Sequence, residues 1–120
     1  LVMHGNGEQT RDYVYVDDVV SAMIAAATAP GINHQTFNIG SGKETSVIEM
    51  VRLIMDVTGV TVEAIVNAKH DPGVSRMRAD ISLAREKLGY QPHITLEEGL
   101  RLTLERDGRF KRQPANRAAA

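Results

Sequence analysis

The stretch at residues 5–18 most constrains what this chain can fold into. It runs GNGEQTRDYVYVDD, a polar loop with two glycines followed by an arginine, an alternating segment and two aspartates. Tyrosine and valine alternate within residues 12–16, which predicts a half-buried strand. Asp17 or Asp18 can cap the helix that should follow, because a short carboxylate accepts hydrogen bonds from first-turn amides. Paired aspartates also suit a metal or acid–base site, but the apolar helix directly behind them favours capping.

Helix and strand patterns alternate through the rest of the chain. Residues 19–27 are alanine-rich and apolar, which predicts a mostly buried helix that ends at Pro30-Gly31. Residues 36–40 and 60–66 are short and rich in β-branched or apolar side chains, and each predicts a strand. This alternation is typical of an α/β fold.

Three further helices are predicted, each with a cap at its start and a glycine at its end. The caps are a Ser46–Glu49 capping box, Asp80 and a Thr95–Glu98 capping box, and the glycines are Gly59, Gly89 and Gly108. Residues 67–79 predict an irregular loop. The basic, alanine-rich residues from Arg109 onward predict a disordered tail.

Composition excludes several classes of function. The 120 residues are 42% hydrophobic and 24% charged, which predicts one globular domain. A net charge of −1 supplies no general attraction to nucleic acid or to an anionic membrane, so neither partner is expected. The chain has no cysteine and no apolar run long enough to span a bilayer, so we expect a cytoplasmic location. The four histidines are scattered, so no metal site is expected.

Three blocks of sequence resemble the extended short-chain dehydrogenase/reductase family, whose best-known members are the UDP-glucose 4-epimerases. Residues 5–18 resemble the family's substrate loop, residues 37–46 the strand and helix start after it, and residues 79–100 its carboxy-terminal helical segment. The resemblance implies an α/β fold in which residues 1–108 are the carboxy-terminal substrate-binding region of an extended Rossmann-type enzyme. Residues 109–120 would be the tail.

The resemblance also implies which parts of such an enzyme this chain lacks. In the family, the preceding Rossmann half carries a glycine-rich dinucleotide loop and a Tyr-x-x-x-Lys pair. No tyrosine here has a lysine four positions later, and no helix follows Gly5-Asn6-Gly7 on which a pyrophosphate could lie. The chain begins at Leu1 rather than methionine, which suits a fragment. We therefore expect NAD and the catalytic residues to belong to a parent protein, with no catalytic, cofactor-binding or metal-binding residue in this chain.

Arg11 is the first candidate for contact with a substrate. A guanidinium stays charged and can bind two phosphate oxygens at once. In the family, the matching arginine contacts the nucleotide diphosphate, whereas an ion pair with Asp12 or a helix carboxylate is the alternative. Gln9 and Tyr13 lie in the same block and could contact the nucleotide. A polar loop group and a strand-packing aromatic are equally good interpretations of these two residues.

Residues 70–78 depart from the family's pattern. UDP-sugar epimerases commonly have Arg-Pro-Gly-Asp there, and the arginine and aspartate positions fall on His70 and Gly73 in this chain. Arg76 and Arg78 could supply the missing positive charge, and Arg76 is preferred because Gly73 lets the backbone before it turn inward. Two surface arginines are the alternative. The departure leaves the nucleotide and the sugar open.

Two functional hypotheses follow. In the first, the chain is the nucleotide-sugar-binding part of an NAD-dependent epimerase or dehydratase and is inactive alone. In the second, it is a non-catalytic interaction module that keeps the fold and forms a homodimer through residues 36–40 or residues 19–27. Nucleic-acid binding by the basic tail is a weaker third, because that tail has no aromatic residue beyond Phe110 to stack on bases.

Overall fold

The computed structural model describes residues 2–63, 65–67 and 73–110. Within them, helices and strands alternate along the chain, which confirms the predicted α/β class. In order, the elements are β1 (Val2–His4), β2 (Thr10–Arg11), α1 (Val16–Thr28), β3 (Thr45–Ser46), α2 (Val47–Thr58), β4 (Ile65–Asn67), α3 (Ser82–Leu88), α4 (Leu96–Arg106) and a 3-10 turn (Gly108–Phe110).

Two short sheets form among the described residues. Strands β1 and β4 are parallel, with Val2 opposite Ile65. Strands β2 and β3 are antiparallel, with Arg11 opposite Thr45. The second sheet therefore holds Arg11 beside the start of α2.

The buried core lies where α1 packs on α3. Its members are Ala22 on α1, Ile81 and Ala84 at α3, and Tyr90 just after α3. Helix α2 packs on α4 instead. The candidate substrate loop runs between these two helix pairs, so packing on both sides positions it.

Helix α1 differs from the prediction in its cap and its burial. It begins at Val16, with Tyr15 as the N-cap residue and no side-chain capping bond, so Asp17 and Asp18 belong to the first turn instead. The predicted burial is also wrong: Met23 is 66% exposed and Ile24 is 63% exposed. No other described element covers this apolar face.

All three predicted strands are wrong in extent. Residues 12–15 and 36–40 are not in strands, and of residues 60–66 only the last two belong to β4. A strand requires hydrogen bonds to a neighbouring strand, and alternating side chains alone do not supply one. Among the described segments, these stretches lack such a neighbour.

At the caps predicted for α2, α3 and α4, a side chain accepts a hydrogen bond from a backbone amide. Ser46 and Glu49 form the complete capping box, which confirms that prediction. At α3 the carboxylate of Asp80 accepts the Ser82 amide, although Ile81 is the N-cap residue. At α4 the Thr95 hydroxyl accepts the Glu98 amide, which is half of the predicted box.

Two helices end at the predicted glycines and one does not. Gly59 and Gly89 adopt left-handed backbone angles, with φ of 68° and 62°. Helix α4 ends at Arg106, before the predicted stop at Gly108, which instead opens the 3-10 turn. Of the predicted disordered tail, residues 109 and 110 belong to this turn, and residues 111–120 lie outside the described residues.

Candidate functional site

The carboxylate of Asp12 joins three parts of the chain at the end of β2. Its Oδ1 accepts the amide of Ser41 at 2.7 Å and the hydroxyl of Ser41 at 2.6 Å. Its Oδ2 accepts the amide of Gly42 at 3.0 Å and the amide of Ala79 at 3.1 Å. This one side chain therefore fixes the candidate substrate loop to the turn at 41–42 and to the segment before α3.

The donors around Asp12 favour its charged form. Burial alone would raise the pKa of Asp12, but the hydroxyl of Ser41 and the three surrounding amides together lower it below its ordinary value of 3.8. The packing is also close, because a Cβ placed on Gly40 would lie 2.7 Å from Asp12 Oδ2. The sequence suggested Asp12 only as an ion-pair partner for Arg11, and among the described ion pairs these two residues are not joined.

Arg11 is half-buried on β2, with its Nη1 anchored to backbone. Nη1 donates to the Thr10 carbonyl at 2.7 Å and to the Val74 carbonyl at 2.9 Å. The Thr10 amide donates to the Ser75 carbonyl at 2.9 Å, so residues 74 and 75 lie along β2. Within the described residues, Nε and Nη2 of Arg11 make no hydrogen bond. The guanidinium is thus anchored to the backbone through one of its three nitrogens.

Gln9 and Tyr13 flank Arg11 in sequence but have different surroundings. Gln9 is half-buried, and its carbonyl accepts the amide of Val47 at 3.1 Å, which ties the loop to the first turn of α2. Tyr13 lines two neighbouring cavities of about 100 and 170 Å³. The larger of these lies against α4 and includes Gly99. Tyr13 therefore borders open space on the side that faces α4.

The two arginines of the 73–79 segment are placed differently. Arg76 forms a bidentate ion pair with Glu44, with Nη2 of the arginine 2.9 Å from Oε2 of the glutamate. The hydrogen bonds and the Coulombic attraction of Glu44 raise the pKa of Arg76. Arg78 is exposed and lines an open cavity of about 450 Å³ together with Asp12 and Phe37. Gly73 has a φ of 76°, in the conformation that glycine favours, whereas His70 lies outside the described residues.

Asp18 is a buried carboxylate, and its burial was not visible in the sequence. It is 4% exposed and accepts the amide of His93 at 3.0 Å and the amide of Ile94 at 3.1 Å. Asp17, which was predicted as an alternative cap, instead binds Arg106 at 2.7 Å. Both aspartates connect the start of α1 to the carboxy-terminal segment.

Tyr90 completes the contacts around Gly40. Its hydroxyl donates to the Gly40 carbonyl at 2.8 Å, and the side chain is buried. Burial, together with the nearby charges of Asp18 and Asp12, raises the pKa of Tyr90. Tyr90 is therefore held in the neutral, hydrogen-bonded form and contributes to packing of the loop.

Neither a metal-ligand cluster nor a membrane-spanning helix occurs in the described part of the chain. Among the side chains that the structure describes, no three from histidine, cysteine, aspartate or glutamate converge in a way that could hold a metal ion. Over the same part of the chain, every helix is too short or too polar to cross a membrane.

Sequence comparison identifies the family. The family model described as GDP-mannose 4,6 dehydratase matches residues 1–103. The chain belongs to the NAD-dependent epimerase/dehydratase group of the extended short-chain dehydrogenase/reductase family, whose members act on nucleotide-sugars. This confirms the resemblance seen in the sequence.

Individual relatives support the same assignment. The chain is 42% identical over 101 residues to a UDP-glucose 4-epimerase of Mycolicibacterium smegmatis. The aligned region is 84% of this chain and 32% of that protein. It resembles the UDP-glucose 4-epimerase of Thermotoga maritima, solved with UDP-glucose, with a TM-score of 0.79 and 40% identity over 88% of this chain and 33% of that one. A UDP-glucuronic acid 4-epimerase from Bacillus cereus, solved with UDP-glucuronic acid and NAD, matches 83% of this chain and 32% of its own length, with a TM-score of 0.76 and 29% identity. The chain thus spans about a third of the length of these relatives.

Proposed function

We propose that residues 1–108 form the nucleotide-sugar-binding portion of an NAD-dependent sugar epimerase or dehydratase. The observation that carries the proposal is the position of Arg11. One edge of its guanidinium is fixed to the Thr10 and Val74 carbonyls, and the rest is uncommitted among the described residues. A pre-positioned guanidinium binds a diphosphate at a smaller entropic cost than a freely moving one.

The wider arrangement supports a role in binding rather than in chemistry. The Val74 carbonyl accepts a hydrogen bond from Arg11, the carboxylate of the next residue, Asp12, is fixed to the amide of Ala79, and Tyr13 borders open space. Fixed contacts of this kind orient a substrate so that its reacting end meets catalytic groups elsewhere. No Tyr-x-x-x-Lys pair occurs in the sequence, so we assign the hydride and proton transfers, and NAD itself, to other parts of a longer protein.

Substitution of Arg11 tests the proposal directly. In the complete polypeptide in which this sequence occurs, Arg11→Ala should raise the KM for UDP-glucose about 10- to 100-fold, because charge-assisted hydrogen bonds to phosphate are lost. Arg101→Ala is the matched control, since Arg101 is an exposed arginine on α4 that pairs with Glu97. An unchanged KM in the Arg11 variant would remove Arg11 from the site.

The isolated 120-residue chain offers a second test. Titration with UDP-glucose and with NAD should show weak or no binding, because much of each pocket would come from other parts of the protein. Tight binding of NAD by this chain would contradict the assignment of the cofactor to a region outside it.

One observation favours self-association as a second candidate function. The apolar face of α1 that carries Met23 and Ile24 is exposed, as the interaction-module hypothesis expects. Residues 36–40, the other predicted contact, form no strand and offer a poorer surface for pairing. Light scattering on the wild-type chain and on Ile24→Glu separates the outcomes: a dimer that Ile24→Glu dissociates supports this candidate, and a monomer at high concentration refutes it.

A further inference from the structure

The ion pair between Glu44 and Arg76 lies beside the proposed phosphate site. Nε of Arg76 lies 3.2 Å from Oε2 of Glu44 and 3.3 Å from Oε1, and Nη2 lies 2.9 and 3.1 Å from the same two oxygens. One planar edge of the guanidinium therefore faces both carboxylate oxygens. The arginine side chain is 76% exposed and the glutamate side chain is 25% exposed.

Both partners are attached directly to segments that contact Arg11. Glu44 precedes Thr45, which is opposite Arg11 in the β2–β3 pair. Arg76 follows Ser75, whose carbonyl accepts the amide of Thr10. The Glu44–Arg76 ion pair thus joins the two backbone segments that bond to β2, each partner being one residue away from a residue that pairs with β2.

We propose that Glu44 is a specificity-determining residue that competes with the ligand's phosphate for Arg76. The proposal rests on the function proposed above. A carboxylate and a phosphate bind the same edge of a guanidinium in the same bidentate way, so both cannot occupy it together. Glu44 satisfies Arg76 while the site is empty and is displaced when a diphosphate enters.

This competition selects ligands by charge. An exposed ion pair is weak, so a diphosphate that also binds Arg11 displaces Glu44 readily. A neutral sugar or a nucleoside cannot displace it, because such a ligand offers Arg76 no charge in exchange. At this position a ligand that carries a diphosphate is therefore favoured over a neutral one.

The experiment measures binding of UDP-glucose to the complete polypeptide by calorimetry at low salt. Glu44→Gln removes the competing charge and should tighten binding about two- to sixfold, which is the range expected from the strength of exposed ion pairs. Glu97→Gln is the matched control, because Glu97 is also a glutamate that forms an ion pair with an arginine, on α4 and away from β2. Its affinity should equal that of the wild type.

A double substitution separates competition from a general charge effect. With Arg76→Ala in place, Glu44→Gln should give no further gain, because Glu44 then has no guanidinium to occupy. A gain that persists in the Arg76→Ala background would overturn the proposal, and so would weaker binding by Glu44→Gln alone. Binding of UDP-glucose with no response to Glu44→Gln overturns this inference only, whereas absence of binding by every variant overturns the proposed function as well.

Discussion

Replacing Asp12 with asparagine tests whether its carboxylate holds the candidate substrate loop in place. Each carboxylate oxygen accepts two hydrogen bonds, Oδ1 from Ser41 and Oδ2 from Gly42 and Ala79. Asparagine keeps the shape but turns one oxygen into an NH₂ group. If the NH₂ group replaces Oδ2, the amides of Gly42 and Ala79 both lose their acceptor. If it replaces Oδ1, only the Ser41 amide loses its acceptor, because the Ser41 hydroxyl can rotate and accept a hydrogen bond from the NH₂ group.

The magnitude follows from the less costly placement, with the NH₂ group at the Oδ1 position. The one unsatisfied donor costs about 1–3 kcal/mol, and the half-buried position of Asp12 favours the lower end of that range. The remaining hydrogen bonds also weaken because their acceptor is no longer charged, so the predicted total is a loss of about 2 kcal/mol in the free energy of unfolding at pH 7. Asp56→Asn is the control, because Asp56 is exposed on α2 and its replacement should change stability by less than about 0.5 kcal/mol.

The destabilisation by Asp12→Asn should also depend on pH. The pKa of Asp12 is lowered in the folded chain, so its stabilisation is fully present above the unfolded value near 3.8 and is lost as pH falls through the lower folded pKa. The difference between wild type and Asp12→Asn should therefore shrink below about pH 4. Urea unfolding followed by circular dichroism measures this difference in the free energy of unfolding at pH 7 and at pH 2.5. A difference that stays constant between these pH values would refute the role assigned to the ionised carboxylate.

Two further substitutions test packing and capping. Gly40→Ala should destabilise the fold by about 2 kcal/mol, because the new Cβ would lie 2.7 Å from Ala79 Cβ, whereas Gly108→Ala points into open space and should be neutral. Equal thermal unfolding midpoints for these two variants would contradict the close contact. Ser46→Ala should cost about 1 kcal/mol through loss of the α2 cap, while Ser21→Ala, within α1, should be neutral or slightly stabilising. A neutral Ser46→Ala would show that the cap contributes little.

The features that could be predicted from the sequence depend on residues close together in the chain. Ser46 and Glu49 are three positions apart, so their mutual capping and the start of α2 are visible in the sequence itself. The left-handed ends at Gly59 and Gly89 are equally local. Helices α2, α3 and α4 were predicted for this reason.

The predicted strand at residues 12–16 failed because its alternation had a different cause. Tyr15 does not face a neighbouring strand but packs against α4, where a Cβ on Gly99 would lie 3.0 Å from its ring. Side chains that alternate between a core and a helix surface produce the same sequence pattern as a strand. Only the positions of distant residues distinguish the two.

The residues of the candidate site also differ in whether their roles depend on local or distant sequence. Arg11 could be proposed because a contiguous motif resembles a known family. The roles of Asp12 and Asp18 could not, because their backbone donors lie 29 to 76 residues further along the chain. An aspartate followed by a helix looks like a cap in sequence, and nothing local shows that its partners are elsewhere.

The two amides that meet Asp18 also set a limit on how far the protein can be shortened. A version that stopped at Gln91 would keep α1 and α3 but lose both amides that donate to the Asp18 carboxylate. Hydrogen bonds to a charged group contribute about 1.5–3 kcal/mol each, and two of them are a large fraction of the stability of a small domain. Any minimal unit made from this sequence must therefore extend at least through Ile94, even if α4 contributes nothing to ligand binding.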